Sequence, residues 1–246
     1  MKKTLSTLLT FVLVLGPLQS QDMVFLEEQE VDLPDSKSSA WVFPIVKNLE
    51  EGLDDLQDYV KERSDIRMKK GGDNVLIAEK ESMPILSTMR GDLVGYAYIT
   101  EQYYAMALVF QLGYDISLNS ESWPDEMENL RNYAKAFMTY HFEQAYARRI
   151  KDAEKELKDV EKDLSQAENK IDNHNKKIQN LGKRIGKEED TSKISEYEAE
   201  INSNEADMRI LLDQLPGLRA KIKDIKDRIE EFKEESNAYH SAIGTL

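Results

Sequence analysis

The chain has 246 residues, 33% of them charged and only 8% aromatic, with 47 acidic against 33 basic side chains, a formal net charge of −14 and no cysteine. Such a surface repels phosphate backbones and anionic headgroups, and no basic stripe offsets it, so nucleic acid is excluded as a partner. Without cysteine there are neither disulfides nor a lipid anchor on an N-terminal cysteine.

The first residues, MKKTLSTLLTFVLVLGPLQSQ, combine Lys2 and Lys3 with an uncharged apolar run from Leu5 to Leu15, followed by Gly16, Pro17 and the small Ser20. This is the pattern of a bacterial export signal over 1–20, with an apolar run shorter than the ~20 residues that span a bilayer. The chain is therefore expected to be exported, periplasmic or secreted, with no integral membrane segment after cleavage. Residues 21–39 mix acids, Pro34 and serines without periodicity and read as a flexible acidic linker.

A small α+β domain is expected over 40–149. Trp41, Phe43 and Ile45 alternate as a short strand, which Pro44 pushes toward a sheet edge. Asn48 and Glu51 form a capping box, and Leu49, Leu53, Leu56 and Val60 then repeat at helical spacing, so one helix is expected to cover the sheet. The sequence IRM, the stretch KKGGD at 69–73 and NVLIAE predict a hairpin whose glycines supply the positive φ of the turn. LVGYAYIT is a further strand, and alternation from Met106 to Leu118 predicts one long strand. Ser122-Trp-Pro-Asp125 resembles a second capping box, opening a helix whose Trp123, Met127, Leu130, Ala134, Phe137 and His141 pack on the sheet.

From Ile150 the apolar positions alternate in steps of three and four: Ala153, Leu157, Val160, Leu164, Ala167, Ile171, His174, Ile178, Leu181 and Ile185. A second run proceeds through Ile194, Tyr197, Ile201, Asn204, Met208, Leu211, Leu215, Leu218, Ile222, Ile225, Ile229 and Phe232. Ile185 and Ile194 are nine residues apart, which no simple heptad slip accounts for, so two helices joined by a loop at 186–193 are expected. Flanking charges set their direction. Glu154, Glu156, Glu161 and Asp163 stand early in the first helix, while Arg219, Lys221, Lys226 and Arg228 stand late in the second. These signs match only if the helices run antiparallel. The expectation is a long antiparallel coiled-coil hairpin over 150–235, its arms ~54 Å long at ~1.5 Å rise per residue, followed by a C-terminal tail at 236–246. His174 and Asn204 lie at similar distances from the loop and read as a polar step that fixes register. Pro216 predicts a helix kink.

Chemistry-bearing patterns are sparse. His141, His174 and His240 stand singly, with no zinc spacing, and there is no phosphate loop or nucleophile elbow, so neither a metal, a cofactor nor an enzymatic activity is expected. Tyr96, Tyr98, Tyr103 and Tyr104 are a candidate stacking face for a glycan or peptide, against the plainer reading of cross-strand packing. The heptad hairpin resembles those of bacterial periplasmic adaptor proteins. That resemblance covers the coiled coil alone: in those proteins the hairpin is inserted within a lipoyl-like domain, and here it is a C-terminal appendage, so no family is assigned.

The functional expectation is a non-enzymatic structural or protein-interaction protein of the bacterial cell envelope, whose projecting hairpin binds a protein partner or another copy of itself. The alternative is a ligand-binding module, with the tyrosine-rich sheet face as its site and the hairpin as its oligomerising device.

Overall fold

The computed structural model describes residues 24–33, 36–113 and 116–246; the expected export signal at 1–20 lies outside them. The fold is α+β: an antiparallel sheet, one helix in its middle, and a long helical hairpin. Strands β1 (Glu27–Asp32), β2 (Lys37–Ile45), β3 (Lys69–Gly72), β4 (Val75–Ser82), β5 (Arg90–Ile99), β6 (Tyr104–Gly113) and β7 (Ile116–Ser117) lie in the order β1-β2-β6-β5-β4-β3, with β7 paired to β6. Helix α1 is Leu49–Ser64, α2 is Pro124–Ile185 and α3 is Thr191–Gly244.

Alternation along the strands separates two apolar faces. Phe43, Met106, Leu108, Phe110 and Leu93 point toward the helices and form the main core with Leu56 of α1 and Met127, Leu130 and Phe137 of α2. Val42, Ala105, Ala107, Val109 and Val94 point the other way. Helix α1 is capped as expected, Asn48 Oδ1 accepting from the Glu51 N–H at 3.2 Å. It sits so close to the sheet that a Cβ on Gly95 would overlap Leu56 Cδ2, which explains a glycine in the middle of β5.

Several expectations need correction. Within the stretch expected to be a linker, residues 27–32 and 37–39 are strand and not tether: β1 pairs with β2 from Glu27↔Val42 to Asp32↔Lys37. Acidic side chains on an edge strand give it the composition of a disordered segment, while they also discourage pairing with a foreign strand. Strand β2 is internal, and Pro44 is tolerated because it lies beyond Glu27↔Val42, where β2 has only β6 as a neighbour. In the β3–β4 hairpin the turn itself is Asp73-Asn74, with Asn74 (φ 58°) in the left-handed conformation; Gly72 has the expected positive φ (158°), but as the last residue of β3, and Gly71 lies within the strand. The long alternation after Met106 is broken: the chain reverses between Gly113 and Ile116, and β7 returns along β6. Ser122 does not cap α2; Asn119 Oδ1 accepts from the Ser122 N–H at 2.8 Å, and Trp123, at the N-cap position, makes no side-chain cap bond.

Helix α2 runs without interruption for 62 residues, from its packing on the sheet into the hairpin. It ends at Ile185, and α3 begins at Thr191, three residues before the apolar run resumes, because Asp190 caps it through the Ser192 N–H (2.9 Å). The residues expected to form a tail, 236–246, are helical to Gly244 and packed. Tyr239 stacks on Phe142 at 4.3 Å, Ile243 is buried in the main core, and the Arg131 guanidinium donates to the Leu246 carbonyl. Both arms are thus rooted in the domain.

Candidate functional site

Every seam position named from the heptads of α2 and α3 is buried or half-buried, whereas the surrounding positions are mostly exposed. The tightest packing lies near the base, where Ala153 and Val160 meet Ile225 and Ile229. Leu164, Ile171, Ile178, Ile201, Met208 and Leu215 farther out are only partly buried, as are Leu157, Leu218 and Ile222 nearer the base, because two helices shield only one side of a seam.

The expected charge matching is largely realised. Glu156 meets Lys221 at 3.3 Å and Arg228 at 2.6 Å, and Glu161 meets Lys226 at 3.2 Å. Arg219 meets Glu168 at 3.0 Å. Hydrogen bonds from Arg228 and Lys221 hold the Glu156 carboxyl below its ordinary pKa. Among the described residues Glu154 and Asp163 make no direct ion pair, although Glu154 adds to the field that raises the Lys233 pKa, after the larger effect of Glu230. All these pairs are solvent-exposed, so they select the antiparallel direction while apolar burial supplies the stability.

His174 and Asn204 meet across the seam, Nδ1 to Oδ1 at 2.8 Å, and the Asn204 amide donates to the Glu200 carbonyl at 2.7 Å. The amide oxygen accepts, so His174 carries its proton on Nδ1. The bond ties the two helices together at one layer and so holds their register. Pro216 lies inside α3, which is helical on both sides of it.

Where α2 leaves the sheet, a buried polar cluster joins three elements. His141, fully buried, donates from Nδ1 to Asp55 Oδ2 at 2.7 Å, and its Nε2 accepts the Val46 N–H at the end of β2 at 3.1 Å. Arg148 binds both Asp55 oxygens at 2.8 Å and reaches Glu51 Oε1 at 2.6 and 3.0 Å. Burial pushes the Asp55 carboxyl up, but the bonds from His141 and Arg148 outweigh it and leave the pKa below the ordinary value. The Arg148 pKa is raised, chiefly by Asp55. A cleft of about 420 Å³ adjoins the cluster, lined also by Glu50, Asp54, Arg149 and Asp152. Both imidazole nitrogens of His141 are engaged by protein groups. The cluster is a clamp for the root of the hairpin. Sequence reasoning placed His141 on the sheet-facing stripe and missed its partners. No sequence signal marked Asp55: it lies about 100° round the helix from Leu56, off the stripe of Leu49, Leu53, Leu56 and Val60, and it is buried in the structure alongside Gly52 and Tyr59.

The four tyrosines do not make one platform. Tyr96 and Tyr98 stack on each other at 5.2 Å on the face away from the helices, and Tyr103 packs edge-on against Phe25 at 5.0 Å. Tyr104 packs against the helix-side core. Beneath the outer rings Ala105 and Ala107 are buried, and the rings themselves fill the space above small residues.

Among the described residues no group of three or more His, Cys, Asp or Glu side chains is arranged to hold a metal ion, and no described helix is long and apolar enough to cross a membrane. Geometry therefore defines a class in structural terms only, a sheet domain bearing a rooted antiparallel coiled-coil arm. Compared with protein-family models, with curated proteins and with solved structures, the chain matches none.

Proposed function

We propose that this chain is a non-enzymatic structural or protein-interaction protein of the bacterial cell envelope, and that the hairpin is its working part. Export rests on the charged and apolar pattern of residues 1–20. The observation that supports the interaction role is apolar surface on the hairpin: Ile210 and Leu212 of α3 are 59% and 45% exposed, beside seam residues Met208 and Leu215 that are only partly buried. A two-helix arm leaves one side of its seam open, and large apolar residues exposed beside that open side suit contact with a further helix.

The test is a hairpin shortened by two heptads per arm, lacking 164–177 and 201–214, which keeps the register, the loop and the base. Photo-crosslinking in a native envelope is expected to capture specific protein partners with the full chain and to lose them with the shortened one. Identical capture by both chains would refute the proposal. If the shortened chain instead retained binding to a glycan or peptide and Tyr96→Ala with Tyr98→Ala abolished it, the sheet-face reading would replace it.

A further inference from the structure

One flank of α3 carries an antisymmetric pattern. At seven-residue spacing, and so along one side of the seam, stand Glu198, Glu205, Leu212, Arg219 and Lys226: two acids, one apolar residue, two bases. Leu212 is 45% exposed, although its seam neighbours Met208 and Leu215, four residues before and three after, would join it in a continuous apolar strip. Arg219 and Lys226 are largely exposed, each paired within the hairpin to one carboxylate, Glu168 at 3.0 Å and Glu161 at 3.2 Å, with further donors left over. Glu198 and Glu205 are exposed and, among the described residues, have no ion-pair partner.

Turned end for end, the pattern becomes its own complement. We propose that two copies of this chain pair through this flank of α3, antiparallel, about a two-fold axis at Leu212. The pairing deepens the interaction reading above and rests on it. Leu212 then meets Leu212 of the second copy. One heptad away, ~10 Å at ~1.5 Å per residue, Glu205 faces Arg219 of the second copy on each side of the axis, and two heptads away Glu198 faces Lys226. Arg219 has enough donors to keep Glu168 while accepting this second carboxylate. A parallel pairing of the same flanks sets acid on acid and base on base. The contact is isologous and closes as a dimer, two hairpins side by side in a four-helix layer.

The native chain has no cysteine, so single cysteines report the geometry directly. At the axis, Leu212→Cys brings two thiols within disulfide reach, whereas Glu198→Cys places them ~42 Å apart, four heptads of rise. Under mild oxidation of the full chain at low salt, Leu212→Cys is expected to yield a covalent dimer and Glu198→Cys a monomer. In sedimentation experiments Leu212→Glu is expected to weaken dimerisation about tenfold or more by placing like charges on the axis. Circular dichroism guards against misfolding, since Leu212 contributes little to the folded monomer. As a positive test, Glu198→Lys with Glu205→Lys in one chain, and Arg219→Glu with Lys226→Glu in another, should each be monomeric and should pair when mixed. A monomeric native chain at low salt, equal linking through position 198, or no effect of Leu212→Glu would overturn the dimer. Crosslinking of a different protein to the hairpin alongside a monomeric chain would overturn it too while leaving the interaction role intact.

Discussion

Replacing Asp55 by Asn removes one charge and no volume from the clamp at the root of the hairpin. Three donors converge on the native carboxylate, His141 Nδ1–H and two guanidinium nitrogens of Arg148. The amide offers one oxygen, and its NH2 group must face a donor. Arg148 has a half-exposed side chain and keeps Glu51, so its loss is moderated by water. His141 is fully buried, and an unsatisfied buried donor costs ~1–3 kcal/mol, with a further ~1.5 kcal/mol for a charge-assisted bond lost. The substitution is thus expected to destabilise the fold by about 2–4 kcal/mol at neutral pH, read from urea unfolding. The pH dependence has a defined sign. Because the folded state holds Asp55 below its ordinary pKa, the unfolded chain binds more protons on acidification; the contribution is complete above the unfolded value of ~4 and is lost as pH falls through the folded value. Asn at this position should flatten that part of the acid limb. A loss under ~0.5 kcal/mol at pH 7, or an unchanged acid limb, would refute the assignment of the cluster as a clamp.

Gly95→Ala forces a methyl onto Leu56 and is expected to lower stability by about 1–3 kcal/mol, with Leu56→Ala in the same chain showing no further penalty from the methyl; thermal melting of the four-member cycle measures it. Replacing His174 and Asn204 together by Leu should raise the melting temperature of the hairpin relative to either single change, because each single change strands one polar partner on the seam. Tyr239→Ala removes the ring stacked on Phe142 and should cost about 2–4 kcal/mol while increasing hydrogen exchange in residues 236–246; an unchanged exchange pattern would mean that this end of α3 does not root the arm.

The hairpin was legible in the sequence because a seven-residue rhythm needs no tertiary information, and the charges beside it carry direction. The same rhythm continues through Tyr239, Ile243 and Leu246, so the packed end of α3 was readable as well; the polar residues around it, Asn237, His240 and Ser241, obscured it. Strand β1 was not readable, because a strand that turns Glu27, Glu28, Glu30 and Asp32 to solvent lacks the two-residue alternation by which strands are recognised. Tyr103 and Tyr104 are neighbours leading into a strand, and alternation alone sends their side chains to different environments. The clamp depends on which residues of α1 and α2 come face to face, and that is a property of the packed pair, with only the inward placement of His141 visible beforehand.

Because α2 passes unbroken from the sheet into the arm and α3 returns to seat Tyr239 and Ile243 in the same core, the protrusion is a boom fixed at two points and not a pendulum on a tether. A sideways load on its far end acts through a lever of ~54 Å on the packing at its root. Such a load is borne where Asp55, His141 and Arg148 hold α2 and where Tyr239 and Ile243 hold α3, so the far end is mechanically connected to the seven-stranded sheet.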